Sequence, residues 1–315
     1  MDSSVKEIVH QTQENSLNPV FEQLDSVILG KPEQIRLALT CLLARGHLLI
    51  EDVPGLGKTV LAHALGQTLG LEYRRVQFTS DLLPGDIIGT SIYDRESGQF
   101  HFNTGPVFTQ LLLADEVNRA TPKSQSALLE AMEERQVSVE GETRRLPEPF
   151  FVIATQNPTE QLGTFPLPES QLDRFLLRIE MGYPTRDAEF ELFRGEDRRQ
   201  MLERLEPAVT TEQLLALQQR VETVYAADAV LEYLYKILEF TRHSELFQTG
   251  LSTRAGLGLL RAARAWALVN GEERLLPGDI QAVLTAVAGH RLRPLEGQMS
   301  PAQIGARIIE SVPVE

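Results

Sequence analysis

Asp52-Val-Pro-Gly-Leu-Gly-Lys-Thr59 decides how this chain is read. The stretch follows an apolar run, His47-Leu-Leu-Ile50, and precedes an amphipathic one, Val60-Leu-Ala-His-Ala-Leu65. Strand, glycine-rich turn and helix in that order are what a phosphate-cradling loop requires. Gly55 and Gly57 leave room for backbone N–H groups to approach phosphate oxygens. The helix that follows offers the positive end of its dipole. Lys58 is suited to the β- and γ-phosphates and Thr59 to a magnesium ion. Pro54, Gly55, Leu56, Gly57, Lys58, Thr59 and Val60 are therefore the expected nucleotide contacts. Asp52 departs from the usual G-x-x-x-x-G-K-[ST] pattern, which has glycine at that position.

Working outward, the chain has 315 residues, room for about two domains and ample core. Its 42% hydrophobic and 23% charged residues are ordinary for a globular protein. A net charge of −14 and a pI near 5.0 repel polynucleotides on average. Cys41 is the only cysteine, which rules out an intrachain disulfide and fits a reducing cytoplasm. It lies in Leu39-Thr-Cys-Leu-Leu43, an apolar helical stretch, and reads as a core thiol. No apolar run is long enough to cross a bilayer. The N-terminus Met1-Asp-Ser-Ser-Val-Lys-Glu-Ile8 lacks the layout of a secretory signal. The six histidines form no zinc-hydrolase pattern.

Residues up to about Leu29 read as an amphipathic helix carrying Val20, Phe21, Leu24 and Val27. Pro32 opens a second helix through Ile35, Leu39, Leu42 and Leu43. Five apolar runs have the length and flanks of buried strands: Leu48–Ile50, Tyr73–Phe78, Leu111–Ala114, Phe150–Ala154 and Phe175–Ile179. Strands alternating with helical or loop segments argue for an α/β fold built on a five-stranded parallel sheet. Ligands on such a sheet bind beyond the carboxyl ends of its strands. Two inserts, Ile92–Phe102 and Val137–Leu146, alternate apolar and polar residues around tight turns and read as hairpins. From Arg186 onward the period is helical, with helices expected over Asp187–Arg204, Thr211–Val224, Ala227–Arg242, Ser252–Leu268 and Pro277–Val287. Thr210 or Thr211, Asp228, and Ser252 or Thr253 are the expected N-caps. The expected divisions are an N-terminal helix over 1–30, a nucleotide-binding core over 31–185 and a helical domain over 186–315.

Four further stretches carry chemistry. Leu111-Leu-Leu-Ala-Asp115-Glu116 is an apolar strand ending in two carboxylates. Asp115 is placed to hold Mg²⁺ and Glu116 to polarise the attacking water. Ala154-Thr-Gln-Asn157-Pro158 ends the next strand in an amide suited to orienting that water, with Pro158 fixing the turn. Leu172-Asp-Arg174-Phe175 supplies an arginine suited to a transferring phosphoryl group, often given in trans. Arg254, in Ser252-Thr-Arg-Ala255, opens a helix of the second domain, where contact with the γ-phosphate from above is expected. Taken singly, each of these has a bland reading as a solvated strand end, a turn or a surface charge. Their order and combination with the phosphate loop favour the chemical one.

The set Pro54-Gly-x-Gly-Lys-Thr59, Asp115-Glu-Val-Asn-Arg-Ala120, Ser124-Gln-Ser-Ala-Leu-Leu-Glu-Ala-Met-Glu133, Ala154-Thr-Gln-Asn-Pro158 and Gln171-Leu-Asp-Arg-Phe175 resembles the MoxR family of AAA+ ATPases. The resemblance runs from about Lys31 to the C-terminus. It implies that Lys58 and Thr59 belong to Walker A, Asp115 and Glu116 to Walker B, and Asn157 to sensor 1. Arg174 then matches the arginine finger, Arg254 the sensor 2 arginine, and Arg119 is a further candidate for contact between subunits. The insert around Tyr93–Phe102 matches a helix-2 insert and the hairpin at Gly141 a pre-sensor 1 hairpin, both facing the pore of ring-shaped relatives. The family implies ATP and Mg²⁺ as ligands, a homo-oligomeric ring expected to be a hexamer, and chaperone-like remodelling. Its partners commonly carry von Willebrand factor A domains. Alternatives are the motor subunit of a metal chelatase, a nucleic-acid motor and a nucleotide-gated scaffold without significant hydrolysis.

Overall fold

The computed structural model describes residues 17–157 and 163–314. The first part of the expected N-terminal helix, and Pro158, lie outside these residues. Helices α1 (Asn18–Val27) and α2 (Pro32–Leu43) lead into strand β1 (Leu48–Glu51), and α3 (Lys58–Thr68) follows the phosphate loop. Next come β2 (Tyr73–Gln77), α4 (Pro84–Ile88), the pair β3 (Gly89–Asp94) and β4 (Gln99–Thr104), and β5 (Leu111–Asp115). Helix α5 (Pro122–Glu134), the pair β6 (Gln136–Val139) and β7 (Glu142–Arg145), β8 (Phe151–Gln156), α6 (Glu169–Leu172) and β9 (Leu177–Ile179) complete this part. The rest is helical: α7 (Arg186–Arg194), α8 (Arg198–Glu203), α9 (Thr211–Thr223), α10 (Asp228–His243), α11 (Thr253–Val269), α12 (Pro277–Ala288) and α13 (Pro301–Ser311).

Five strands form one parallel sheet in the order β2-β5-β8-β1-β9. Side chains alternate across it. Leu111, Leu113 and Ile153 join the core under α1, α2 and α3, while Leu112, Ala114 and Val152 pack with Leu128, Leu129 and Met132 of α5. Burial on both faces of β1, β5 and β8 explains why those strands read as continuous apolar runs, whereas β2, at the sheet edge, exposes Arg74, Arg75 and Gln77. The core on the α1–α3 side continues without a break into α9–α13. The buried Gln218 amide donates to the Leu42 carbonyl at 2.8 Å, and Arg291 reaches the carbonyls of Asp173, Phe175 and Leu176 at the amino end of β9.

Several local expectations are corrected. The single helix expected over Asp187–Arg204 is two, α7 and α8. It breaks at Gly195, and Asp197 caps the second piece by accepting from Arg199 N–H at 2.9 Å. Asp228 is not an N-cap but the first helical residue, with Ala227 before it. The last strand starts at Leu177 rather than Phe175, because the Phe175 carbonyl is held by Arg291 and paired with His290. Helix α13 was not expected, although Ser300 and Gln303 form a reciprocal cap, a pattern readable as S-x-x-Q.

Candidate functional site

The loop between β1 and α3 carries Gly55 at φ +87° and Gly57 at φ +85°, a conformation that only glycine adopts cheaply. Gly57 precedes α3 and no side chain caps it, so the first-turn N–H groups face outward unclaimed by a cap. Lys58 is the first residue of that helix and is buried. Its ammonium donates to the Asp52 carbonyl at 2.5 Å. Burial pushes the ammonium below the usual lysine range, and Asp52, Asp115, Glu116 and Glu51 pull it back. Thr59 follows at the second position of the helix, and Leu56 and Val60 pack against the core.

Asp52 explains its own departure from glycine. One carboxylate oxygen accepts from Val53 N–H at 2.8 Å and the other from Gly182 N–H at 2.7 Å. Lys31 donates to the carbonyls of Gly182 and Tyr183 at 3.0 and 2.7 Å. The phosphate loop is thus tied to the segment that leaves β9.

Strand β5 ends in Asp115, and β8 lies between β5 and β1. Thr155 donates to one Asp115 oxygen at 2.6 Å and accepts from Glu116 N–H at 2.8 Å. Arg75 of β2 binds the other Asp115 oxygen at 2.7 Å. Glu116 adopts a left-handed backbone, φ 55°, which turns its side chain off the strand direction. One Glu116 oxygen accepts from Asn157 at 3.1 Å; the other accepts from Gln77 and Arg119, both at 2.9 Å. Asn157 is buried, and its Oδ1 has no partner among the described residues. Asn118 fixes the Asn157 carbonyl at 3.1 Å.

Lys58, Asp115, Glu116 and Asn157 therefore meet at the carboxyl ends of three adjacent strands. Thr59 and Asp115 offer oxygen donors, the kind that suits Mg²⁺, an ion that keeps several waters and is bound through one or two carboxylates together with phosphate. Sequence reasoning missed Arg75, Gln77 and Thr155. The first two are exposed along β2, and Thr155 stands in a motif whose sequence reading gives roles to Asn157 and Pro158 alone.

Arg174 and Arg254 lie elsewhere. Arg174 precedes β9, at the amino end of the parallel sheet, whereas the phosphate loop leaves the carboxyl end of β1. Arg254 is at the same amino end, paired with Glu133 at 3.0 Å and 4.0 Å from Asp173. The expectation that Arg254 reaches the γ-phosphate bound by its own chain is corrected: α11 packs on α2 and the foot of the sheet, not over the phosphate loop. Arg174 and Arg254 share a crevice of about 170 Å³ on that side. Arg119 instead joins the carboxyl-end cluster through Glu116.

Residues 47–177 match the model of the ATPase family associated with various cellular activities (AAA), and residues 239–311 match the AAA lid domain. The chain is 44% identical over 276 residues to the uncharacterised protein YeaC of Bacillus subtilis, covering 88% of this chain and 86% of that one. It is 38% identical to chaperone MoxR1 of Mycobacterium tuberculosis, across 95% of this chain and 82% of the relative. The crystal structure of a candidate ATPase from Cytophaga hutchinsonii superposes with a TM-score of 0.88 at 34% identity, covering 99% of this chain and 98% of the other.

Proposed function

The chain belongs to the MoxR family of AAA+ ATPases, and on that premise we propose that it hydrolyses ATP in a homo-oligomeric ring and uses the cycle to remodel or mature partner proteins. The meeting of Lys58, Asp115, Glu116 and Asn157 at adjoining strand ends supports this most directly. Backbone N–H groups at Gly55–Lys58 and the Lys58 ammonium neutralise the phosphates. Thr59 and Asp115 would hold Mg²⁺, which would supply positive charge against the phosphates. Glu116, steadied by Asn157 and Gln77, polarises a water for in-line attack on the γ-phosphorus. The bond to the β–γ bridging oxygen breaks, leaving ADP and phosphate. Arg174 completes the site of a neighbouring copy. Its place at the opposite end of the sheet from its own phosphate loop favours this, and Arg254, at that same end, is assigned to the in-trans side with it.

We assign residues 31–185 to the nucleotide-binding core and 186–315 to the lid. The hairpins β3–β4 and β6–β7 are proposed to face a central pore. Tyr93 and Phe100 are exposed on the first, and Arg144 of the second stacks over Phe102 at 4.0 Å from the ring centre. We assign the ring six copies, a cytoplasmic setting and partners bearing von Willebrand factor A domains. Glu116→Gln is expected to bind ATP with unchanged affinity while phosphate release falls by about 10² or more. Affinity capture of that variant with ATP is expected to retain a partner carrying such a domain. Near-parent turnover in Glu116→Gln overturns the role given to Glu116; capture of DNA or a porphyrin enzyme redirects the partner assignment.

A further inference from the structure

The crevice at the foot of the sheet holds six arginines and two carboxylates, in a chain whose net charge is −14. The two carboxylates are not equivalent. Asp173 is committed to the buried Arg291, whose Nε lies 2.7 Å from its Oδ1. Glu133, the last residue but one of α5, is shared. Its Oε2 meets Arg174 Nε at 2.9 Å and its Oε1 meets Arg254 Nη1 at 3.0 Å. One carboxylate thus joins side chains that enter from α5, the turn before β9 and the start of α11.

How the guanidiniums are held matters. Arg174 approaches Glu133 most closely through Nε rather than through a terminal nitrogen. Arg254 approaches Glu133 most closely through Nη1, with its Nε 4.0 Å from Asp173. Two partly exposed guanidiniums therefore flank a single carboxylate in one crevice, and guanidinium groups suit phosphate oxygens. Arg254 also sits in the first turn of α11, where the helix dipole disfavours a cation and no acidic residue of that turn compensates. Glu133 supplies the missing negative charge from another element.

We propose that Glu133 is a positioning residue for hydrolysis, setting Arg174 and Arg254 as one fork for the γ-phosphate held by the adjacent copy. The inference rests on the in-trans reading above and names the residue on which that reading depends for its geometry. It touches no nucleotide itself; it acts through the two arginines it holds.

The test mixes variants. Lys58→Ala cannot retain nucleotide productively but still offers Glu133, Arg174 and Arg254 to its neighbour. Glu133→Gln keeps its own phosphate loop intact. Alone, Glu133→Gln is expected to show a kcat lowered on the order of tenfold or more, since a small misplacement of a clamp suffices for that, with KM for ATP within about twofold of the parent. Mixed with Lys58→Ala, its turnover is expected to rise above that of either variant alone. Arg174→Ala mixed with Lys58→Ala serves as the control. If the control recovers and the Glu133→Gln mixture does not, the role given to Glu133 is overturned. If neither recovers, the in-trans reading falls and takes this inference with it. Glu133 is about one-third exposed, and Glu133→Asp, too short to span both arginines, is expected to behave like Glu133→Gln. Full activity of Glu133→Asp counts against the two-armed geometry.

Discussion

At the scale of single residues, His47 shows how burial turns an ionisable group into a structural one. Val152 N–H donates to its Nδ1 at 3.0 Å, so the proton sits on Nε2 and is given to the Met132 carbonyl at 3.1 Å. Protonating Nδ1 would set two N–H groups against each other inside the core. Burial holds the imidazole pKa down to about 4, from an ordinary value of 6.5. Below pH 6.5 the unfolded chain therefore takes up a proton that the folded chain refuses. Stability falls as the pH drops from 6.5 towards 4 and no further loss comes from this group below that. His47 alone accounts for roughly 3 kcal/mol across the window. His290 is shifted in the same direction by burial and by Arg291. Urea titrations at pH 7 and pH 4.5 are expected to show a smaller pH dependence for His47→Asn than for the parent. An identical dependence in the two proteins shows that His47 titrates normally.

At the scale of elements, the start of α11 joins a cap to a catalytic proposal. Ser252 accepts from Ala255 N–H at 3.0 Å, and Arg254 lies between them. Ser252→Ala is expected to cost about 1 kcal/mol in chemical denaturation, the ordinary value of a lost N-cap. Because the frayed turn carries Arg254, turnover is expected to fall with it, while Ser252→Asp keeps both. Loss of stability with unchanged turnover separates Arg254 from the reaction. The same element shows why helix starts in the second half were readable. Ser252 and Thr210 are caps whose side chains accept from the residue three along, a signal written in four consecutive positions. Asp228 misled because its own place is one residue inside the helix, where an acidic side chain is favoured by the dipole as well. Both uses place the same residue type within one position of the same boundary.

At the scale of the whole molecule, the parallel sheet separates two half-sites. The lysine, acid pair and amide occupy its carboxyl ends, and the arginine fork with Glu133 occupies its amino end. A single copy cannot close one on the other across a packed sheet. Turnover per chain is accordingly expected to fall as the protein is diluted, in step with the loss of assembled mass measured by light scattering. Turnover per chain that stays level through dissociation contradicts the in-trans arrangement.

The phosphate loop, the carboxylate pair and the amide were legible in the sequence because each is a strand end followed by its chemical group. The rule that ligands sit beyond the carboxyl ends of parallel strands then brought them together without any coordinate. Strands β1, β5 and β8 were legible because burial on both faces leaves an unbroken apolar run. The tertiary structure alone decided on which side Arg254 stands, that Asp52 clamps Gly182, and that Glu133 joins Arg174 to Arg254. Those contacts link positions 41, 121 and 130 residues apart (133 to 174, 133 to 254 and 52 to 182). No local period records such a distance, since it depends on how helices pack against the foot of a sheet rather than on which residues adjoin along the chain.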